Sequence, residues 1–273
     1  MSEARTVERV HRPVGVKIDA RAVVSPRARL GEGVEIGPWA WVGDDVEVGD
    51  ACRVMPHAFL QGPARIGREN VFHPFCSIGG DPQDLKFAGE RTEVIIGDAN
   101  RFREYVTVSR GTAQGLSTTR IGSHNFFMVQ AHIAHDCEVG SHTVFANSAT
   151  LAGHVAVQDF VTVGAFSAVH QFCRVGRYAY IGGFTVVTQD VPPFSLVVSE
   201  RETHCYGANK IGLERRGFSA KRIGEIESAF RLLLRSKRNT SQAIERMRET
   251  LGASPDVQEM IGFIESAERG LTK

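Results

Sequence analysis

Apolar residues recur at every sixth position along much of this chain. The first series keeps one phase through eleven residues: Ile18, Val24, Leu30, Ile36, Val42, Val48, Val54, Leu60, Ile66, Phe72 and Ile78. The phase returns at Ile96, Phe102 and Val108, slips by one residue, and then continues from Ile121 to Val187. A period of six is neither the 3.6 period of a helix nor the alternation of a single strand. It predicts a short strand and a turn in every repeat, which is typical of a parallel β-helix.

The residue two positions before each aliphatic residue should share the interior, and it is small in Ala22, Ala28, Ala40, Cys52, Ala58, Ala64 and Cys76. Gly often follows the aliphatic residue, and we expect its tolerance of positive φ to ease the corner. Cys137 and Cys173 also occupy the small interior position, whereas Cys205 lies outside the repeat. The pattern therefore predicts buried free thiols and favours neither a disulfide framework nor a metal cluster.

The charge balance argues against nucleic acid or an anionic membrane as a partner of the whole chain. The chain has 32 Lys and Arg against 31 Asp and Glu, a formal net charge of +1. Its longest apolar runs, such as 232–234, fall far short of the ~20 residues that span a bilayer. Residues 1–10 mix acidic and basic side chains without an apolar signal core. We therefore expect a cytoplasmic protein without a transmembrane segment.

Two segments interrupt the repeat, and loops that leave a rigid scaffold commonly carry function. The first, 79–93, contains a polar cluster that includes Gln83, Asp84 and Lys86. The second, 111–120, is poor in charge and rich in Gly and Thr, and it is interpreted as a plain excursion.

The repeat ends near residue 193, and after an irregular stretch over 195–212 the pattern becomes helical. Ser219 could cap a helix with one apolar face that includes Ile223, Ile226, Phe230, Leu233 and Leu234. Further helices should begin near Thr240 or Ser241 and after Ser254, with Pro255 at the first helical position. The predicted organisation is an extension at 1–13, a parallel β-helix domain at 14–198, and a connecting segment with a C-terminal α-helical domain at 199–273. Residues 212–238 carry eight Lys or Arg against three Asp or Glu, which indicates a solvated face or a dock for an acidic partner.

The histidines can be placed if three repeats form one triangular coil. Residues 18 apart then lie above one another at the ~4.8 Å spacing of strands. Counting from His135 gives Gly153, beside His154, and then Gln171, beside His170. These residues should line one edge, with His132 close by. The remaining histidines of the repeat region are interpreted as structural: His57, His73, His124 and His142.

A neutral His is the usual general base near pH 7, and a neighbouring carboxylate, here Asp136, can orient it and stabilise the imidazolium. Such a cluster could instead bind zinc with an open position for water. His132 and His135 are three apart, but in a strand and corner they do not share a face as they would on a helix. The histidine edge therefore favours acid–base chemistry, with zinc as the competing hypothesis.

Several motifs together resemble one family over nearly the whole chain. They are residues 83–89, 131–137, 151–154, 168–172, 189–193 and 215–218, which are similar to the acyl-carrier-protein:UDP-N-acetylglucosamine O-acyltransferases that begin lipid A synthesis. The resemblance implies a mainly β fold, a left-handed parallel β-helix with a C-terminal helical domain. It also implies a homotrimer with active sites in clefts between subunits. The hand comes from the resemblance alone, because the general rule for parallel crossovers predicts the opposite one.

The resemblance implies that His135 is the general base for attack of the glucosamine 3-hydroxyl on the thioester of a 3-hydroxyacyl carrier protein. Asp136 would orient His135, and the N–H of Gly153 would stabilise the oxyanion. No metal or resident cofactor is implied, because the acyl donor arrives on the phosphopantetheine of acyl carrier protein.

The remaining site residues are also implied by the resemblance. Asp84 and Lys86, with Gln83 nearby, would bind the sugar and the 3-hydroxyl of the acyl chain. Gly183 would limit acyl length, and a position without a side chain indicates a long chain. The sugar and diphosphate path and the nucleotide contacts would be lined by His132, His154, His170, Gln171, Asn209, Arg215 and Arg216.

Three alternative functions remain open at this point. The first is an N-acyltransferase acting on an amino-sugar nucleotide, since the same base and oxyanion site could serve an amine. The second is a non-enzymatic β-helix scaffold, against which the histidine edge and the polar loop argue. The third is a zinc hydratase.

Overall fold

The computed structural model describes residues 13–199, 203–236, 238–268 and 270–272. The predicted extension at 1–13 lies outside these residues except for its last position. The first strands are β1 (Lys17–Ile18), β2 (Val23–Val24), β3 (Arg29–Leu30), β4 (Glu35–Ile36), β5 (Trp41–Val42), β6 (Val46–Val48), β7 (Arg53–Val54), β8 (Phe59–Leu60), β9 (Ala64–Ile66) and β10 (Val71–Phe72). The next are β11 (Ser77–Gly80), β12 (Glu93–Ile96), β13 (Arg101–Phe102), β14 (Thr107–Ser109), β15 (Thr118–Ile121), β16 (Phe126–Phe127), β17 (His132–Ile133), β18 (Glu138–Val139), β19 (Val144–Phe145) and β20 (Thr150–Leu151). The last are β21 (Ala156–Val157), β22 (Thr162–Val163), β23 (Ala168–Val169), β24 (Arg174–Val175), β25 (Tyr180–Ile181), β26 (Val186–Val187), β27 (Ser195–Ser199) and β28 (Thr203–Ala208).

These strands form the three walls of a left-handed parallel β-helix, as expected. Every third strand pairs in the same sheet, so β1 pairs with β4 and β4 with β7, all parallel. The uninterrupted register is 18 residues, as in Lys17↔Glu35. Where 111–120 is inserted, the register becomes Thr107↔His132, an offset of 25 residues. Both interruptions of the repeat therefore leave the coil and return without breaking the sheets.

The aliphatic repeat residues fill the interior, and this confirms the prediction from the period of six. One column consists of the stacked rings of Phe72, Phe102, Phe127 and Phe145, with centroids about one strand spacing apart at 4.9 to 5.1 Å. The four cysteines of the repeat are buried and free, as predicted, and Cys205, which lies outside the repeat, is buried and free as well.

The role predicted for Gly after the aliphatic residue is wrong at most corners. Positive φ instead occurs at other residue types three positions after the aliphatic residue, such as Trp39, Asp136 and His154. The glycines are needed because the next coil is close. A Cβ on Gly49, for example, would lie 2.7 Å from the carbonyl carbon of Gly67.

The C-terminal helices are α1 (Lys210–Arg215), α2 (Ala220–Phe230), α3 (Thr240–Leu251) and α4 (Pro255–Glu265), with a π-helical turn at Arg231–Arg235. The Ser219 Oγ accepts a hydrogen bond from the N–H of Arg222, and Pro255 begins α4, as predicted. The stretch predicted to be irregular, 195–212, instead contains the antiparallel pair β27–β28 and the start of α1. A strand forms here because β27 continues the coil beside β25, where Ile181 pairs with Val197.

Two arginines of the last coils join them to the C-terminal helical region, one through a hydrogen bond and one through an ion pair. Arg174 pairs with Asp190 at 2.9 Å and also donates to the Ser266 carbonyl, and Arg177 pairs with Glu259 at 3.0 Å. The predicted boundary at 198–199 falls at the end of β27, and the division into domains stays a prediction. Among the described residues, each helix is too short or too polar to span a bilayer.

Candidate active site

The predicted histidine edge is one corner of the coil. β17, β20 and β23 stack in register as His132↔Thr150↔Ala168. The corners that follow these strands carry His135, then Gly153 and His154, and then Gln171. The structure therefore brings these residues together over three coils, as the 18-residue count predicted.

His135 and Asp136 form a hydrogen-bonded pair at this corner. The Nδ1 of His135 lies 2.8 Å from Oδ2 of Asp136. The imidazole is partly exposed, whereas the carboxylate is buried. An ionised carboxylate can only accept, so the pair assigns the proton to Nδ1 and leaves Nε2 of a neutral ring free to accept.

Asp136 is held by the segment 111–117, which the sequence analysis wrongly interpreted as a plain excursion. The N–H of Thr112 lies 3.0 Å from both carboxylate oxygens, and the hydroxyl of Thr112 donates to Oδ2 at 2.7 Å. The N–H of Leu116 donates to Oδ1 at 2.8 Å. The one sequence signal near this contact was the slip in the repeat, which lies just before the coil that carries Asp136.

These donors decide the charge of Asp136. Burial by itself raises the pKa of a carboxyl group, but the hydrogen bonds from Thr112 and His135 outweigh it, and the pKa of Asp136 is lowered overall. Asp136 is therefore ionised near neutral pH and can stabilise a positive charge on His135.

The ring of His154 meets that of His135 edge-on, with centroids 5.1 Å apart, and stacks on Phe172 at 4.5 Å. Its Nε2 lies 3.9 Å from Oδ2 of Asp136, which is too far for a hydrogen bond. Burial lowers the pKa of His154 more than Asp136 and Asp84 raise it. His154 is therefore neutral near pH 7, and its ring forms one polar side of the corner.

Gly153 lies directly against the His135 ring. A Cβ at this position would lie 2.6 Å from Cε1 and 2.8 Å from Nε2 of His135. Within the described residues the N–H of Gly153 donates to no carbonyl oxygen. Gly153, which lies against the His135 ring, thus carries a backbone donor that is not used within the described residues.

His132 lies on β17, beside this corner. Its Nδ1 is 2.7 Å from the hydroxyl oxygen of Thr107, one coil earlier. Burial, with a smaller contribution from the charge of His135, lowers the pKa of His132. Three of the remaining histidines of the repeat stack at other positions, His124 on His142 and His57 on Phe75, and His73 lies 3.4 Å from a carboxylate oxygen of Glu104, consistent with the structural interpretation.

The loop 79–93 is anchored beside the same edge. Arg110 pairs with Asp81 at 2.6 Å, and its guanidinium lies 5.2 Å from the centroid of Phe87. The charge of Asp84 acts to raise the pKa of His154. The Oδ1 of Asp84 accepts a hydrogen bond from the N–H of Lys86 at 2.9 Å. The side chains of Gln83 and Lys86 point into solvent, and within the described residues no hydrogen bond joins them to His135.

Two further predicted residues lie on the next coil of this corner, and one lies elsewhere. His170 and Gln171 are exposed beside Phe172, the residue that stacks on His154. Gly183 belongs to another corner, between β25 and β26, beside the exposed ring of Phe184. A single chain therefore does not bring Gly183 to the histidine corner.

The predicted nucleotide residues gather at the start of α1 and after it. Asn209 caps α1, because its Oδ1 accepts from the N–H of Gly212, and its Nδ2 donates to the Tyr178 carbonyl. Arg216 lies over the rings of Phe160 and Tyr178 and donates to the Phe160 carbonyl. Burial lowers the pKa of Arg216. Arg215 is exposed on α1.

Three residues of this corner could in principle hold a metal ion. His135, Asp136 and His154 present ligand atoms within 4.8 Å of one another. Both oxygens of Asp136, however, already accept hydrogen bonds from Thr112, Leu116 and His135. A metal ion would have to displace these donors, so the residues fit an acid–base pair better than a zinc site.

A left-handed β-helix of hexapeptide repeats with a His–Asp pair at one corner is typical of hexapeptide-repeat acyltransferases. The family model described as UDP N-acetylglucosamine O-acyltransferase, domain 2, matches residues 190–272. An acyl-(acyl-carrier-protein)–UDP-N-acetylglucosamine O-acyltransferase of Thermodesulfovibrio yellowstonii is 44% identical over 94% of this chain and 99% of that protein. The protein of the same description from Halorhodospira halophila is 48% identical over the same shares.

Solved structures agree with these relatives. The UDP-N-acetylglucosamine acyltransferase of Bacteroides fragilis superposes with a TM-score of 0.92 at 38% identity, covering 94% of this chain and all of that one. The structure of LpxA from Acinetobacter baumannii superposes with a TM-score of 0.90 at 38% identity, covering 94% of this chain and 99% of that one. The chain therefore belongs to the family of acyl-(acyl-carrier-protein)–UDP-N-acetylglucosamine O-acyltransferases.

Proposed function

We propose that this chain transfers a 3-hydroxyacyl group from acyl carrier protein to the glucosamine 3-hydroxyl of UDP-N-acetylglucosamine, with His135 as the general base. The reaction class follows from the family, and the assignment of His135 rests on its geometry. Its Nδ1–H is held by an ionised carboxylate, so Nε2 is the nitrogen that can take a proton. Nε2 faces Gly153, whose N–H donates to no carbonyl oxygen within the described residues and is therefore available to a reacting oxygen.

In the proposed mechanism, Nε2 of His135 removes the proton from the 3-hydroxyl as its oxygen attacks the thioester carbonyl. The tetrahedral oxyanion accepts a hydrogen bond from Gly153 N–H, a donor that is in place before the reaction. Asp136 stabilises the imidazolium that forms. The carbon–sulfur bond then breaks, His135 returns the proton to the leaving sulfur, and the products are the ester and the free thiol of the carrier protein.

Substrate contacts are proposed for the residues around the corner. Asp84 and Lys86, with Gln83, would bind the sugar and the 3-hydroxyl of the acyl chain from the anchored loop. His132, His154, His170 and Gln171 would line the sugar and diphosphate. Arg215 has an exposed guanidinium for a phosphate, whereas Asn209 has both side-chain polar atoms engaged by the protein and would act through the position of α1.

The acyl carrier protein would dock on the basic segment 212–238. Lys221 projects from the outer side of α2, and Arg231 and Arg235 follow in the π-helical turn. An acidic partner is favoured by this local excess of positive charge. Phosphopantetheine would arrive with that partner, so no resident cofactor is part of the proposal.

A homotrimer would complete the site. Gly183, the proposed limit on acyl length, lies on a different corner from His135, and a neighbouring copy could bring the two corners to one cleft. The corner that bears Gly183 also exposes a column of rings that includes Trp39, Phe75, Tyr105, Phe166 and Phe184. Exposed apolar columns of this kind are typical of a contact surface.

The test is acyl transfer from a set of 3-hydroxyacyl carrier proteins to UDP-N-acetylglucosamine, with the product followed by mass. We expect an ester product with the parent and none with His135→Ala, while His142→Ala, a matched change at another corner, stays active. Full activity of His135→Ala would refute the mechanism. Product only with a 3-amino sugar nucleotide would refute the hydroxyl acceptor, and no product with either acceptor would favour a scaffold.

A further inference from the structure

The segment 111–117 encloses a carboxylate that would otherwise be buried without enough partners. Asp136 accepts from the N–H of Thr112, the hydroxyl of Thr112 and the N–H of Leu116, in addition to His135. Gly115 completes the enclosure, because a Cβ there would lie 2.5 Å from Cγ of Asp136. The segment has the shape and the donors of a small anion receptor, and its anion is the side chain of Asp136.

Thr112 has a particular place among these donors. Its hydroxyl reaches Oδ2, the same oxygen that receives Nδ1 of His135. The other two donors are backbone groups, so within the described residues Thr112 is the one side chain besides His135 that donates to this carboxylate. The side chain of Thr112 is itself buried, so water does not compete for the bond.

We propose that Thr112 is a positioning residue of the reaction, which acts by fixing Oδ2 of Asp136 so that His135 keeps its proton on Nδ1 and directs Nε2 towards Gly153. This inference rests on the proposed role of His135. Without the hydroxyl, Oδ2 keeps only Nδ1 of His135 and the N–H of Thr112, which it shares with Oδ1, so the carboxylate turns away from the ring more easily. The ring then loses its fixed tautomer, and the population with Nε2 ready to accept a proton falls.

The test compares Thr112→Val, which keeps the shape and removes the donor, with Thr112→Ser, which keeps the donor. Thr162→Val, an outward-facing change on β22, is the matched control. We expect kcat of Thr112→Val to fall roughly ten- to one hundred-fold, as for loss of a hydrogen bond to a charged group. The KM for UDP-N-acetylglucosamine should stay within about twofold, because Thr112 touches no part of the proposed sugar path. Thr112→Ser should recover most of kcat.

A spectroscopic readout separates positioning from structure. In the protein labelled with ¹⁵N-histidine, the ring nitrogens of His135 should show the Nδ1–H tautomer in the parent and Thr112→Ser, and exchange between tautomers in Thr112→Val. Gly115→Ala keeps every donor and presses a methyl group on the carboxylate, so it should lower kcat by a similar factor. If Thr112→Val does not fold, Gly115→Ala is the variant used to test the inference.

The outcomes distinguish this inference from the proposed function. Activity of His135→Ala would refute both. An inactive His135→Ala together with normal kcat in Thr112→Val would refute only the role of Thr112. Parallel losses of kcat, KM and thermal stability that Thr112→Ser does not reverse would make Thr112 a structural residue and would equally overturn the inference.

Discussion

Replacing Gly153 by Ala should move the His135 ring while leaving the other groups of the site unchanged. The new Cβ would lie 2.6 Å from Cε1 and 2.8 Å from Nε2 of His135. Carbon atoms in contact prefer about 3.5 to 4.0 Å, so the ring must retreat by about 1 Å. It is tethered by the 2.8 Å bond from Nδ1 to Asp136, and such a movement stretches or tilts that bond.

A displacement of about 1 Å in a catalytic group costs roughly one hundred-fold in rate. We therefore expect kcat of Gly153→Ala to fall by about that factor, equivalent to about 2.7 kcal/mol in the activation free energy. The backbone N–H survives in Ala, so the loss would come from geometry and not from a missing oxyanion donor. Gly153 does not have positive φ, so the backbone tolerates Ala, and the free energy of unfolding should fall by only about 1 kcal/mol.

The assay is steady-state acyl transfer with thermal unfolding measured in parallel. Gly262→Ala is the control, because a Cβ there meets no atom within 4 Å in helix α4. If Gly153→Ala folds and keeps kcat within twofold of the parent, the contact between the ring and Gly153 does not position the base, and the reasoning fails.

Three further predictions concern the rest of the fold. Ile133→Asp puts a carboxylate in the interior and should cost at least about 4 kcal/mol or prevent folding, whereas Ile95→Asp faces outward between two arginines and should fold, as judged by circular dichroism. Burial lowers the pKa of His132 and His154 below 6.5, so the unfolded chain binds more protons as the pH falls below that value. Tm should therefore decrease from pH 7 to pH 5. If Tm of the His154→Gln variant decreased as much as that of the parent, the protonation of His154 would not contribute to the decrease. Burial raises the pKa of Cys76 and Cys137 to about 12, so a thiol reagent at pH 8 should detect none of the five cysteines before denaturation and all five after it.

The coil could be predicted from the sequence because its repeat is local. Each period requires one apolar residue inside, and the same requirement recurs at Ile18, Ile78 and Val187 without reference to distant residues. The 18-residue count then placed His135, Gly153 and Gln171 on one edge. The hairpin β27–β28 was not predicted, because it pairs by tertiary contact with β25 and has no period of six.

The residues around Asp136 show where prediction from the repeat fails. Thr112 and Leu116 belong to a segment with no period and little charge, so composition gave them no role. Their function arises because the insertion returns under the corner of the next coil, where backbone N–H groups meet a buried carboxylate. The backbone path of that insertion decides which N–H groups point at Asp136. This path cannot be read directly from the residue types.

By itself, the sequence determined the β-helix, its interior and the alignment of the histidines, since these follow from a spacing that every coil repeats. The tertiary structure alone decided which nitrogen of His135 is free, how Asp136 stays charged while buried, and why position 153 has no side chain. The first property depends on a 2.8 Å contact between the adjacent residues His135 and Asp136, and the other two depend on contacts between groups 18 to 24 residues apart in the chain. A periodic pattern specifies which residues are neighbours, but only the folded chain sets the distances at which a proton is held.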